Sequence, residues 1–92
     1  MDNRVKKAVL AKIDETISGA DEISKFQERL LDVSIGSQDD FAFGIAMGRI
    51  YNSFHYQTRR ILKRNATDEE FAEFLDILAK RAKYIKKSLE QH

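Results

Sequence analysis

Ninety-two residues make one domain, and a domain this small can bury only a thin core. The chain has no cysteine, which excludes disulfide staples and thiolate-held metals. Sixteen basic side chains against fifteen acidic ones leave a net charge of +1, too little for the molecule as a whole to attract nucleic acid or a lipid surface.

The opening residues, MDNRVKKAVLAKIDETI, lack the apolar stretch of a secretory signal. The longest nearly apolar run, residues 41–48, would rise about 12 Å as a helix, far short of a bilayer. A transmembrane segment is therefore not expected, and the absence of cysteine adds to an expectation of the cytoplasm. Abundant Lys, Arg and Glu without Cys also fit a thermophile's habits, as a compositional hint. Proline is absent and glycine occurs four times, which favours long helices.

The first predicted helix covers about residues 2–18. Val5, Val9, Ile13 and Ile17 recur every four residues with Leu10 beside them, and Gly19 is expected to end the helix in the left-handed conformation. A second helix is expected over about 20–34, where Ile23, Phe26, Leu30 and Val33 share one stripe; Gly36 breaks it. Ser37 is a suitable N-cap for a long third helix over about 38–64, with Asp39 and Asp40 at the favourable end of its dipole. Its stripe reads Phe43, Met47, Ile50, Phe54 and Ile61, and Asn65 is placed to end it. Thr67-Asp68-Glu69-Glu70 forms a capping box for a fourth helix over about 68–89. There Phe71, Phe74, Leu75, Leu78, Ala82, Ile85 and Leu89 fall in a narrow arc.

Alternation with β-branched residues is absent, so strands are not expected. Short gaps between amphipathic helices predict an all-α domain spanning 1–92, an antiparallel up-down-up-down four-helix bundle with a long third helix. The alternative is an open, V-shaped arrangement whose apolar faces meet a lipid or a second subunit.

Catalytic and metal chemistry find little footing in this chain. A di-iron bundle needs Glu-x-x-His, yet neither His55 nor His92 has an acid three residues before it. Nucleophilic catalysis needs a base and an orienting group, yet no carboxylate falls between Asp40 and Asp68 to serve Ser53, His55 or Thr58. Gly44 and Gly48 lack the strand–loop setting of a phosphate loop. No enzyme activity, cofactor or metal is expected, and His55 reads as a hydrogen-bonded boundary residue.

Function is expected instead on the surfaces left outside the core. Phe41, Ile45, Tyr56, Ile77 and Tyr84 lie off the core stripes and suit a protein partner or self-association, as for a small adaptor subunit of a larger assembly or homodimer. Residues 49–64 hold five basic groups and no acid (Arg49, Arg59, Arg60, Lys63 and Arg64), a set suited to nucleic-acid phosphates or simply to solvation. Strict alternation would also gather Arg4, Lys6 and Lys7 near Lys80, Arg81, Lys83, Lys86 and Lys87 in a basic pole, unless the latter only complement their helix's dipole. Contact with a membrane surface by an opened bundle is a third reading. Gly44 and Gly48, one turn apart, are expected to admit another helix closely, from the first or fourth helix of the same chain or from a second chain.

Overall fold

The computed structural model describes residues 1–30 and 37–90, with only the backbone at position 38. Four helices follow in order: α1 (Asn3–Ser18), α2 (Ala20–Arg29), α3 (Gln38–Leu62) and α4 (Asp68–Glu90). They pack against one another as an all-α four-helix bundle, 41 × 22 × 18 Å, with no strand among the described residues. None of these helices is long and apolar enough to cross a membrane.

The helix ends are where the chain's polar residues put them. Asp2 caps α1, its carboxylate accepting from the Arg4 and Val5 amides. Arg4 also hydrogen-bonds that carboxylate, which holds Asp2 below the usual carboxylate range. Ser37 caps α3 through the Asp40 amide at 3.3 Å. The capping box of α4 is complete: the Thr67 amide donates to Glu70 at 2.8 Å, and the Glu70 amide to Thr67 Oγ1 at 3.1 Å.

Arg64 adds two hydrogen bonds to the Glu70 carboxylate, at 2.7 and 3.1 Å. Chiefly through Arg64, and next through the Thr67 amide, the Glu70 carboxyl is pulled down to about 2. A carboxyl that titrates lower folded than unfolded stabilises fully above its unfolded pKa and ceases to do so as pH falls through the folded one. Glu70→Gln is accordingly expected to lower stability near neutral pH by about 1 kcal/mol, since the half-exposed guanidinium is screened by solvent. In urea titrations the gap between wild type and variant should close as pH drops from about 4.5 to about 2.

One helix end and one cap conformation differ from the sequence expectation. Lys63, not Asn65, terminates α3: it takes the left-handed conformation at φ 60° and ψ 29°, its amide donating to Arg59 O. A side chain with a Cβ is strained there, so Lys63→Gly should raise stability by about 1 kcal/mol in thermal unfolding. Gly19 ends α1 but is not left-handed; its φ of −94° and ψ of 18° lie in the bridge region between helical and extended backbone, and its amide still bonds Glu15 O at 2.8 Å. Burial therefore continues through it, at Val5, Val9, Ile13 and Thr16 and then at Ala20 and Ile23. The described part of α2 ends at Arg29, capped at Leu30; the expected continuation to residue 34, with Val33 and the break at Gly36, lies outside the described residues.

Helix directions follow from side-chain pairs. Glu15 reaches Arg49 and Arg4 shares a groove with Arg60, so α1 runs antiparallel to α3. Phe54 stacks on Phe74 and Lys86 approaches Asp40, so α3 runs antiparallel to α4. The amino terminus bonds Glu73 at 2.8 Å while Ile17 lies with Tyr84, so α1 and α4 are parallel. The expected basic pole is thereby corrected, because the start of α1 sits beside the start of α4, not its end. The cause is α2: Gly19 does not reverse the chain along α1, and α2 packs instead on α3 and α4.

The core centres on Phe54 and Phe74, both fully buried, with ring centroids 4.4 Å apart and planes 8° from parallel. On α3 the buried line is Ala42, Ala46, Ile50, Phe54 and Thr58; Phe43, Met47 and Ile61 pack at its edge. Thr16 and Thr58 can occupy buried positions because each hydroxyl donates to the carbonyl four residues earlier, Lys12 O and Phe54 O. Phe26 and Leu75, expected inside, are exposed by 54% and 45%.

Candidate functional site

Two surfaces of opposite character flank α3. The first is the groove where α3 meets α1. Antiparallel packing of the two helices sets Lys12 beside Arg49, Asn52, Ser53, Tyr56, Gln57 and Arg59, and further along sets Arg4 and Lys7 beside Arg60 and Lys63. Carboxylates also enter this surface, and Glu22 lies beside Arg49 at its end. Asp2 is held by Arg4, and Glu15 is shared by Lys12 at 3.1 Å and Arg49 at 3.8 Å. Among the described residues, Lys7, Arg59, Arg60 and Lys63 meet no carboxylate; Arg60 instead donates to Gln57 at 3.0 Å. Tyr56 stands between the two clusters with 58% of its surface open.

The second surface lies where α3 meets α4, and the residues that form it between its two ends are uncharged. The Asp40–Lys86 pair closes one end and the Arg64–Glu70 pair the other. Between them α3 contributes Gly44, Met47, Gly48, Tyr51 and His55, and α4 contributes the line from Phe71 through Leu75 and Leu78. Phe71 joins the two helices, 6.3 Å from Tyr51 edge-on and 5.8 Å from His55 in a stacked contact. His55 is thus half-buried among rings, with Tyr51 4.8 Å away, rather than beside a carboxylate.

Gly44 and Gly48 are exposed, and a Cβ built on either would meet nothing within 4 Å. The expected close crossing within the monomer is therefore corrected. Ala42 and Ala46, on the opposite side of α3 and 4% and 0% exposed, are the small residues that let helices approach.

The structure scatters the five expected partner-binding residues. Ile45 and Ile77 pack against the core, Phe41 is half-buried, Tyr56 stands in the α1–α3 groove, and Tyr84 lines a separate hollow with Ile17, Lys80, Arg81 and Lys87. Of the basic residues, Arg49, Arg59, Arg60 and Lys63 come together with cations of α1. Arg64 is engaged by Glu70, Lys86 approaches Asp40, and Lys83 lies over the Tyr84 ring at 5.3 Å. Sequence reasoning missed Lys12 in the groove and Leu75 on the apolar face. Both sit at the edge of a helical stripe, and only the direction of the neighbouring helix decides what such an edge faces.

No group of three His, Cys, Asp or Glu side chains among the described residues is arranged to hold a metal ion. Compared with known proteins, the chain matches no family model, no curated relative and no solved structure.

Proposed function

We propose that this protein is a small non-catalytic binding subunit that self-associates through its α3–α4 face. The observation that carries the reading is the uncharged apolar surface, on which Tyr51 and Leu75 stand 48% and 45% exposed beside two bare glycines. Exposed contiguous apolar surface is costly in water and marks contact sites.

A second copy suits this face for two reasons. Protruding side chains and side-chain-free glycine positions occur on the same surface, so a two-fold axis can set the Leu75 and Tyr51 of each copy over the glycines of the other. No unpaired charge on the face calls for an oppositely charged partner. About 18 residues of each helix at 1.5 Å per residue, across two helix widths of about 9 Å, give roughly 500 Å² per copy. That total of about 1,000 Å² sits at the low end of specific interfaces and fits a reversible dimer in the micromolar range.

Sedimentation velocity from about 5 to 300 µM tests this. The mass should rise from 10.7 kDa toward twice that value with concentration. Leu75→Glu, which places a charge at an exposed site, should hold the chain monomeric with unchanged helicity. A wild-type protein that stays monomeric across the range overturns the self-association.

A further inference from the structure

The α1–α3 groove lies on the other flank of α3 and plays no part in that dimer. We propose that it binds single-stranded nucleic acid, with phosphates on its cations and a base stacked on Tyr56.

Charge is the first support. The net charge of the chain is only +1, yet seven cations (Arg4, Lys7, Lys12, Arg49, Arg59, Arg60 and Lys63) line this one surface. Asp2 and Glu15 are engaged by groove cations, and Glu22 lies beside Arg49 at one end. Of the acids at the nearby α4 start, Glu70 is held by Arg64 and Glu73 by the amino terminus, while Asp68 and Glu69 are exposed. The segregation arises in the fold, because helix pairing sets the basic flank of α1 along the acid-free stretch of α3.

Geometry is the second support. Arg49 and Lys63 are 14 positions apart, about 21 Å along a helix, the reach of some three or four nucleotides of extended strand. The groove is long and open, as a tracked backbone requires, not a closed pocket. Tyr56 sits within this cationic track with most of its ring in water, and Asn52 beside it offers a donor and an acceptor. An exposed aromatic ring between cations is the arrangement by which single strands are held, since every base has a face to stack. A duplex keeps its bases stacked on one another and would use the cations but not the ring.

Fluorescence anisotropy with a labelled 12-nucleotide oligothymidine, read from 50 to 300 mM NaCl, tests the proposal on the full chain. Wild type should bind, with affinity falling as salt rises. The double variant Arg59→Ala, Lys63→Gly should weaken binding about ten-fold or more at 50 mM NaCl. It should also flatten the log–log salt slope by roughly 1.4, about 0.7 for each single-strand phosphate that is no longer neutralised. Because Lys63→Gly relieves the left-handed strain at that position, weaker binding cannot be ascribed to unfolding. Tyr56→Ala should weaken binding roughly five-fold to a hundred-fold and leave the salt slope unchanged.

Lys80→Ala, Arg81→Ala, midway along α4 in the separate hollow with Ile17 and Tyr84, should bind as wild type does. No binding at 50 mM NaCl overturns the proposal. So does equal weakening by the Lys80, Arg81 variant, which signals unlocalised charge attraction. A Tyr56→Ala variant that matches wild type, with a 12-base-pair duplex bound as tightly as the single strand, overturns it in favour of duplex or generic polyanion contact. Leu75→Glu should leave the affinity of each protomer intact, so this result and the dimer result are separable.

Discussion

Phe54→Ala is expected to cost the protein about 3–5 kcal/mol, a large share of the stability of a domain this size. Phe54 is fully buried and stacks on Phe74 at 4.4 Å, with Phe71 and His55 at 6.3 and 5.0 Å. Removing the ring deletes its transfer free energy and leaves a cavity that the surrounding helices would have to move to fill. Urea unfolding followed by circular dichroism measures the change. Phe54→Leu, which retains most of the volume, should recover more than half of it. A change below about 1 kcal/mol for the alanine variant would mean that this ring pair is not the centre of the core.

The second large effect contrasts two positions on α3 that are two residues apart. Ala46→Glu is expected to unfold the protein at room temperature or to lower its stability by several kcal/mol. The site is fully buried in the core cluster, where a carboxylate would lose its hydration. Gly48→Ala should do the opposite and raise stability by up to about 1 kcal/mol, because it replaces an exposed mid-helix glycine where nothing lies within 4 Å of the new methyl. Thermal melts of the two variants read the rotation of α3 about its axis directly. If Gly48→Ala destabilised the monomer and Ala46→Glu were tolerated, α3 would be turned by half a revolution, with its glycines inward and its alanines in solvent.

That rotation is also where sequence and structure part. Counting large apolar residues on α3 selects Phe43, Met47, Ile50, Phe54 and Ile61, and of these Ile50 and Phe54 are fully buried. The other three pack only at the core's edge, because the line that faces inward runs through Ala42, Ala46 and Thr58. Small side chains are inconspicuous in a hydrophobicity pattern, yet they are what a close helix crossing selects. Thr58 is hidden for a further reason: its polarity is neutralised by its own helix, through the hydroxyl bond to Phe54 O.

The proposed binding surfaces were legible in part for the same reason. Arg49, Arg59, Arg60 and Lys63 stand out as an acid-free basic run, but their alignment with Lys12 and Lys7 depends on α1 being antiparallel to α3. Strict alternation of four helices would have made α1 and α3 parallel. Gly19 is one place where the alternatives part. A left-handed Gly19 would have been free to fold α2 back along α1; at φ −94° it bends the chain while keeping its hydrogen bond to Glu15.

Local signals alone determined the four helices, the caps at Ser37 and Thr67, the absence of strands among the described residues and the central burial of Ile50, Phe54, Phe74 and Ile85, because each is set by period and by contacts within a few residues. The tertiary structure decided the direction of α1 relative to α4, the side of α3 that faces the core, and which charges and apolar residues share a surface. Those depend on how one helix edge meets another across the bundle, and an amphipathic pattern fixes which side of a helix is buried only approximately and says nothing about its neighbour's direction.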